Sequence, residues 1–584
     1  MNIAIPIYSV SIHHGQRLHF ADGREWPLQV QRALTRGPTR SHKWMLAVLA
    51  VLASVPTRAG NNVTHCQDLM KVPLPGKRIL SAEWVPADAF QSPNGESYRA
   101  PAFCRVQVAA NPTADSDIRF EVWLPDAKDW TGRYYQHGEG GGGGQIDYAS
   151  LTGFVRDGAV GAATNDGGAE MAALIDRQAH PQRLIDNQYR ALQETAQGAR
   201  EITLAYYGHA PRHRYFEGCS GGGMYALKAA KRFPEDWDGI LVGAANTTSM
   251  GVAALAWNAR TWLEDPLGRI VPEKLPAIQR AALASCTAQA HVVNGIATDP
   301  RRCPFDPKVL SCKGPETDVC LTTHQLATLQ KIYVGPRNPR TGIQIYPGFP
   351  PTSEIGWVNS LSVPARVYVF NPEHPTPPYS LYGSNAFYRS IFDDPHWNVR
   401  KFDFDKSVTS SENTEFAGAS LKSILDADDP DLSAFWERGS KMLMYVGWGD
   451  HALTPFEGVG YYEKVAQAAG GIDSLQHSFR LFMAPGMYHC AGGPGANAFG
   501  QGALAGPALQ NDPRHNIVRA LEAWAETDRS PDQIIATKYI DDDPRKGIEF
   551  TRPLCPYPQL AVYAGVGSTA EASNFECKTE TGQR

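Results

Sequence analysis

Residues 217–223 read Glu217-Gly218-Cys219-Ser220-Gly221-Gly222-Gly223, a Gly-x-Ser-x-Gly pentapeptide with a cysteine directly before the serine. Residues 214–216 (RYF) predict a short buried strand, and residues 224–233 (MYALKAAKRF) predict a helix that ends before Pro234. A serine held by small residues between a strand and a helix is typical of the nucleophile elbow of an α/β-hydrolase. The pentapeptide alone is a weak signal, because Gly/Ser-rich turns also arise by chance. The strand and helix on either side make Ser220 a candidate nucleophile.

A second glycine-rich stretch follows an earlier predicted strand at 132–135. It begins His137-Gly138-Glu139-Gly140 and continues with four more glycines. The run lacks the Lys-Ser/Thr ending of a P-loop and has no convincing Gly-x-Gly-x-x-Gly helix start. In an α/β-hydrolase the loop at this point supplies one amide of the oxyanion hole. We therefore expect the oxyanion hole to combine the Gly221 N–H with an amide from Gly138, Glu139 or Gly140; a flexible linker is the alternative.

Two late strands, at 441–446 (KMLMYV) and 479–483 (FRLFM), are each followed by a residue suited to catalysis. Asp450 comes after the first strand and His489 after the second, so the chain order is Ser, Asp, His, as in an α/β-hydrolase. His489 would take the serine proton and Asp450 would orient the imidazole. His451 is a competing base, ranked lower because the base belongs on the loop after the last strand. The alternative for His489 is an ordinary surface or core histidine without a catalytic role.

The order of the remaining elements predicts an α/β-hydrolase fold with a mostly parallel sheet and a large inserted lid domain. Strands are expected at 117–124 and 159–166, and an amphipathic helix is expected to end at Gly208. Strand, helix, strand, elbow and helix form βαβ units, which place helices on both faces of the sheet. The alternation stops between Asn246 and Asp431, a stretch rich in prolines and cysteines. The predicted division is therefore a leader over 1–59, a catalytic domain over 60–245 and 431–584, and a lid over 246–430.

Composition and the start of the chain indicate an exported globular protein. The 584 residues are 42% hydrophobic and 20% charged, and the net charge of −5 argues against a nucleic-acid partner. Arg36, Arg40 and Lys43 precede an apolar run at 44–55, which is too short to span a bilayer as a helix. A small-residue site follows, so we expect a secretory signal cleaved near Ala59 and a secreted or periplasmic product; an uncleaved anchor is the alternative.

The cysteines also suit an oxidising compartment. Ten are present, an even number that suggests five disulfides. No two of them are spaced as Cys-x-x-Cys, so a zinc ribbon is not expected. Cys219 precedes the candidate nucleophile and Cys490 follows the candidate base. If Ser220 and His489 touch, these cysteines fall near the roughly 5.5–6 Å Cα separation of a disulfide. Such a bond would join the base loop to the elbow; a buried free thiol at Cys219 is the alternative.

Five motifs stand out along the chain: Gly-Cys-Ser-Gly-Gly at 218–222, Arg-Phe-Pro-Glu-Asp-Trp-Asp-Gly-Ile at 232–240, Gly-Asp at 449–450, Pro-Gly-Met-Tyr-His-Cys at 485–490 and Gly-Gly-Pro-Gly at 492–495. Together they resemble the tannase and feruloyl esterase family, and the likeness runs from about Cys66 to Cys577. The resemblance implies serine esterases that split esters of aromatic acids, with Ser220, Asp450 and His489 as the triad. It also implies five disulfides, Cys219–Cys490, Cys66–Cys104, Cys286–Cys303, Cys312–Cys320 and Cys555–Cys577.

One departure from the family concerns calcium. Members usually carry an acidic loop of the form Cys-Asp-x-x-Asp-Gly-x-x-Asp-Gly, whereas residues 286–295 here read CTAQAHVVNG and have none of the three acids. Calcium takes several oxygen ligands, normally including carboxylates. We therefore expect no metal at this loop, and the chemistry requires no cofactor.

These observations predict a secreted carboxylic ester hydrolase that cleaves esters of aromatic acids through an acyl-enzyme. Its expected partner is a small aromatic ester, with no nucleic acid and no membrane after signal cleavage. Within this class, a tannase or a terephthalate monoester hydrolase is the alternative, and an acyltransferase would use the same triad. From another class, a non-catalytic aromatic-ligand binder on a hydrolase scaffold remains open.

Overall fold

The structure is a computed structural model and describes residues 65–168, 180–358 and 379–579. The predicted leader, with its apolar run and cleavage site, lies outside the described residues. In the described ranges, no helix combines the length and the apolar character that a membrane crossing requires.

A nine-stranded mixed sheet forms the centre of the described chain. Its strands are β1 (Lys77–Val85), β2 (Phe103–Ala110), β3 (Ile118–Pro125), β4 (Arg133–Gly138), β5 (Val160–Thr164), β6 (His213–Cys219), β7 (Gly239–Gly243), β8 (Lys441–Gly447) and β9 (Phe479–Ala484). Their spatial order is β1-β2-β3-β5-β4-β6-β7-β8-β9.

The mode of strand pairing changes once across this sheet. The pairs β1–β2, β2–β3 and β3–β5 are antiparallel. The six strands β5, β4, β6, β7, β8 and β9 pair in parallel, so their carboxyl ends lie at the same edge of the sheet. The predicted α/β fold with a mostly parallel sheet is confirmed.

The longer helices of the described chain are α1 (Tyr148–Arg156), α2 (Ala191–Tyr207), α3 (Gly221–Arg232), α4 (Gly251–Glu264), α5 (Leu275–Ala284), α6 (Thr323–Val334), α7 (Tyr379–Ile391), α8 (Pro455–Ala468) and α9 (Ile517–Thr527). Shorter helical segments lie at Arg183–Ile185, Ser407–Glu412, Leu421–Leu425, Ser433–Trp436 and Ile472–Leu475.

Helices cover both faces of the sheet. On one face, α2, α3 and α8 pack through Leu192, Tyr225 and Val459 into a large apolar core. On the other, α1 and α9 contribute Leu151 and Trp524 to a second core. Because both faces are covered, the central strands are apolar on both sides.

A long segment is inserted between two neighbouring strands of the sheet. The chain leaves β7 at Gly243 and returns at Lys441, the first residue of β8, which pairs with Gly239. Between these points lie α4 to α7, whose buried side chains form apolar clusters apart from the two sheet cores. The predicted lid over 246–430 falls inside this insertion, and its role as a separate domain stays a prediction.

The chain after the sheet adds two antiparallel hairpins. Strands β10 (Ile534–Tyr539) and β11 (Ile548–Leu554) form the first, and β12 (Leu560–Tyr563) and β13 (Phe575–Lys578) form the second. The disulfide between Cys555 and Cys577 joins the end of the first hairpin to the last strand.

Candidate active site

Ser220 lies on a strained turn between β6 and α3. Its backbone has φ 64° and ψ −120°, a conformation that non-glycine residues rarely adopt. Two contacts hold it there: the Ser220 N–H donates to the Gly243 carbonyl at the end of β7 (2.9 Å), and the Met224 N–H donates to the Ser220 carbonyl (3.1 Å). The side chain is half-buried. The turn has the features of the elbow that the pentapeptide predicts.

The glycines of the elbow are required by the close approach of the glycine-rich loop. A Cβ atom on Gly221 would overlap the carbonyl oxygen of Gly141, and one on Gly222 would overlap that of Gly138. A Cβ on Gly140 would contact the Cys219 carbonyl at 3.8 Å. The loop after β4, where oxyanion amides were predicted, therefore lies directly against the candidate nucleophile. Which of its amides face a substrate stays a prediction.

Asp450 and His489 form a hydrogen-bonded pair at the ends of β8 and β9. The His489 Nδ1 lies 2.8 Å from Asp450 Oδ2. The other carboxylate oxygen, Oδ1, accepts the backbone N–H groups of Ala452 (2.8 Å) and Leu453 (2.9 Å). Asp450 is fully buried, and the His489 side chain is 10% exposed. The carboxylate thus has fixed geometry, while the His489 side chain keeps a small exposed fraction.

A disulfide brings the serine turn and the histidine loop together. Cys219 and Cys490 are bonded with a Cα separation of 6.1 Å, although 271 positions separate them in the chain. Since Cys219 is bonded in sequence to Ser220 and Cys490 to His489, the two candidate residues start from backbone positions that this bond fixes close together. The other eight cysteines pair as the resemblance implied, and all ten are in disulfides.

His451, the competing base, occupies a different place. Its ring packs edge-on against Tyr488, with centroids 5.6 Å apart, and it is buried. The hydrogen bond of 2.8 Å to the Asp450 carboxylate is made by His489. The geometry therefore favours His489.

Acidic groups and one asparagine surround the glycine-rich loop, and the sequence did not reveal these contacts. Burial raises the pKa of Glu139 to about 7 and raises that of the fully buried Asp166 well above its ordinary value. Asn187 donates from Nδ2 to the carbonyls of Gly142 (2.9 Å) and Gly168 (2.6 Å). Asn187 therefore fixes the far side of the loop.

A buried glutamate joins the insertion to α8. Glu457 Oε1 accepts the N–H and hydroxyl of Thr247 (2.7 and 2.9 Å) and the N–H of Thr248 (3.2 Å), and its Oε2 accepts the hydroxyl of Tyr346. Burial raises the pKa of this carboxyl to about 7. Its partners lie more than 100 positions away, so sequence spacing could not have found the contact.

The loop that carries calcium in the family does not fit a calcium ion here. Residues 287–295 have no acidic side chain. Asp299 is buried beside this loop, where its backbone N–H donates to the Ala290 carbonyl (3.3 Å), and its carboxylate already accepts two hydrogen bonds from the Arg301 guanidinium (2.9 and 2.9 Å). Among the described residues, no group of three or more acidic, histidine or cysteine side chains is placed to hold a metal ion. No step of the chemistry is assigned to a metal.

A serine on a strained strand-to-helix turn, followed by an aspartate and a histidine at the ends of later strands of a mostly parallel sheet, defines an α/β-hydrolase. Comparison with known proteins narrows this class. The sequence model of the tannase and feruloyl esterase family matches residues 104–578. The chain therefore belongs to the tannase and feruloyl esterase family, and it is a carboxylic ester hydrolase.

Individual relatives agree with this assignment. An uncharacterized esterase of Xanthomonas campestris pv. campestris is 41% identical over 554 residues, covering 91% of this chain and 94% of that protein. A probable feruloyl esterase B-2 of Aspergillus flavus is 31% identical and covers 78% of this chain and 83% of its own length. The crystal structure of feruloyl esterase B from Aspergillus oryzae matches with a TM-score of 0.76 at 25% identity, covering 88% of this chain and 99% of that one.

Proposed function

We propose that this protein hydrolyses esters of aromatic carboxylic acids through a covalent acyl-enzyme, with Ser220 as nucleophile. The observation that carries the proposal is the His489–Asp450 hydrogen bond of 2.8 Å beside an elbow joined to the histidine loop by the Cys219–Cys490 disulfide. The chain order of the three residues and the hydrogen bond between His489 and Asp450 support a serine-hydrolase mechanism.

In the acylation step the Ser220 hydroxyl oxygen attacks the ester carbonyl carbon. His489 takes the hydroxyl proton on Nε2, because Asp450 accepts a hydrogen bond from Nδ1 and thereby holds the tautomer that leaves Nε2 free to accept. The carboxylate also stabilises the imidazolium that forms. When the tetrahedral intermediate collapses, the imidazolium returns its proton to the departing alcohol oxygen.

The negative charge on the carbonyl oxygen requires donors that are already in place. The Gly221 N–H and an amide of Gly138, Glu139 or Gly140 are the proposed donors, since the loop lies against the elbow. One such donor contributes roughly 3 kcal/mol to transition-state stabilisation. In deacylation, water attacks the acyl carbon and His489 takes its proton; when the intermediate collapses, the imidazolium returns that proton to the Ser220 oxygen and the acid departs.

The aromatic nature of the acid is supported by relatives named feruloyl esterase. Galloyl esters and terephthalate monoesters are the alternative substrates. Five disulfides favour an oxidising compartment, and we propose that the protein is secreted or periplasmic. N-terminal sequencing of protein exported from a bacterial host should start near residue 60; an intact leader on the exported protein would contradict signal cleavage.

The test is hydrolysis of methyl ferulate, methyl gallate, mono(2-hydroxyethyl) terephthalate and p-nitrophenyl acetate by the wild type and Ser220→Ala. The wild type should cleave at least one of the aromatic esters, and the variant should cleave none measurably above background. If the folded wild type cleaves no ester, including the activated acetate, a non-catalytic aromatic-ligand binder explains the protein better than an esterase. Adding a small alcohol distinguishes an esterase from an acyltransferase, because an acyltransferase would form a new ester in place of the free acid.

A further inference from the structure

His137 stands at the base of the glycine-rich loop. It is the next-to-last residue of β4, directly before Gly138, and Asp147 is the N-cap residue directly before α1. The His137 Nε2 lies 3.3 Å from Asp147 Oδ2. The two side chains that flank segment 138–146 therefore face each other and close the segment at its base.

The other ring nitrogen of His137 faces the strand that carries the candidate nucleophile. Its Nδ1 lies 3.4 Å from Glu217 Oε1. The contact follows from the sheet, because β4 and β6 are parallel neighbours in which His137 is opposite Glu217. Glu217 precedes Ser220 by three residues. One imidazole thus contacts both the loop base and the elbow strand.

The charges around His137 favour its protonated form. Asp147 of the α1 cap, Glu217 of β6 and Glu139 of the loop face it, and the buried Asp166 after β5 also lies within electrostatic range. Burial by itself lowers the pKa of His137, but the hydrogen bond to Glu217 and the three carboxylates outweigh burial and raise that pKa to about 9. As an imidazolium, His137 donates from both nitrogens.

The glycine-rich loop needs contacts from outside it to hold its amides in place, and Asn187 supplies one of them at Gly142. Gly141, Gly143 and Gly144 have positive φ, so this stretch has little intrinsic rigidity. Oxyanion donors act only when they stand within about 2.7–3.1 Å of the developing charge. A displacement of about 1 Å can lower the rate by roughly 100-fold.

We propose that His137 is a positioning residue of the oxyanion hole, which closes the glycine-rich loop on Asp147 and ties it to Glu217 on the nucleophile strand. This inference rests on the proposed esterase mechanism. His137 does not contact the reacting atoms; it acts through the backbone that it holds.

The first test replaces His137 with glutamine, which keeps hydrogen-bonding capacity but carries no charge. His137→Gln should lower kcat by roughly 10- to 100-fold and change KM by less than about threefold, because ground-state binding does not use the oxyanion contact. The matched control is His324→Gln, which removes an exposed His–Asp265 pair of 2.9 Å in the insertion and should leave kcat unchanged. Melting temperatures of all variants separate misfolding from misplacement.

The second test uses pH and does not require His137 to be changed. Asp147→Asn keeps the oxygen that accepts the Ser150 N–H at 2.8 Å and so keeps the α1 cap, but it removes the negative charge that faces His137. In the wild type, kcat should fall as pH rises through about 9. In the variant the imidazolium loses one stabilising charge, so the fall should begin at lower pH.

Unchanged kcat in a folded His137→Gln, or an alkaline limb that Asp147→Asn does not move, would overturn the proposal. If His137→Gln does not fold, the pH profile of Asp147→Asn decides alone. Failure of the proposed function looks different: the wild type would then cleave no ester, or Ser220→Ala would be as active as the wild type.

Discussion

At the scale of single residues, Asp450 uses its two oxygens for separate purposes. Oδ1 is fixed by the amides of Ala452 and Leu453, and Oδ2 receives His489. Because the amides fix the carboxylate, the imidazole orientation is set before substrate arrives. We therefore expect the loss of the oxygen that faces His489 to affect activity more than the loss of the other carboxylate oxygen.

Asp450→Asn should lower kcat by about 10³- to 10⁴-fold with little change in melting temperature. The side-chain oxygen of the asparagine can still accept from the backbone amides of Ala452 and Leu453. Its NH₂ group would face Nδ1 of His489 and favour the tautomer with the proton on Nε2, which cannot take the serine proton. Asp512→Asn is the matched control, since Asp512 also accepts two turn amides and contacts a histidine, His515, at 3.0 Å. Steady-state kinetics that show less than a tenfold loss for Asp450→Asn would contradict the assignment.

The sequence predicts Ser220, Asp450 and His489 as the triad because each follows a strand with a recognisable pattern, and the triad stays a prediction. The sequence did not reveal the contacts that His137, Asn187 and Glu457 make around the site. Their partners are set by strand register and by contacts across the insertion, neither of which leaves a local pattern.

At the scale of elements, the Cys219–Cys490 bond couples the β6–α3 turn to the loop after β9. Replacing both cysteines by serine should lower both the melting temperature and kcat, because the bond fixes the elbow relative to the histidine. The control is the corresponding change at Cys312 and Cys320, whose bond closes only 8 positions. Chain entropy alone makes the first bond about 3 kcal/mol more stabilising. Equal kcat for both double variants would show that the first bond does not position the site.

Glu457 makes the attachment of the insertion to α8 dependent on pH. Its pKa of about 7 exceeds the ordinary 4.5, so the folded state keeps a proton that the unfolded state releases. The resulting stabilisation is complete below about pH 4.5 and is lost as pH rises through 7. Glu457→Gln imitates the protonated form, and its melting temperature should therefore fall less between pH 5 and 8 than that of the wild type.

Glu463→Gln provides the comparison on the same helix, because Glu463 is exposed and also accepts a tyrosine hydroxyl, that of Tyr557, at 2.7 Å. Its melting curve should follow the wild type across this pH range. If the two glutamine variants respond to pH alike, Glu457 is not the titrating group.

Of the nine strands of the sheet, the sequence predicts β3 to β6, β8 and β9 but not β1, β2 or β7. β1 was missed because a bulge between Ile79 and Ser81 breaks its alternation. β7 was missed because it is only five residues long and begins and ends with glycine. The helix after the elbow begins at Gly221 rather than at Met224, since the approach of the glycine-rich loop overrides the low helix propensity of three glycines.

At the scale of the whole molecule, all ten cysteines are paired. Thiol titration of the denatured, unreduced protein should therefore detect no free thiol, and reduction should release ten. The reduced protein should refold to full activity only under oxidising conditions, since five cross-links restrict its unfolded state. Any free thiol detected in the unreduced protein, even less than one per molecule, would contradict the complete pairing of the cysteines.

The architecture followed from the sequence because βαβ order and chirality leave few ways to arrange a parallel sheet. The path of the insertion did not follow, since its apolar clusters join residues that are distant in sequence and lack a repeating pattern. The resemblance to one family, more than spacing, supplied the disulfide pairing.

The proposed acyl-enzyme on Ser220 is tested most directly by intact-protein mass spectrometry during turnover of an activated ferulate ester, followed by peptide mapping. We predict a transient feruloyl adduct on the peptide that contains Ser220, absent in Ser220→Ala and accumulating when deacylation is slowed. Rapid hydrolysis by the wild type with no adduct, or an adduct on another residue, would contradict a serine acyl-enzyme at this site.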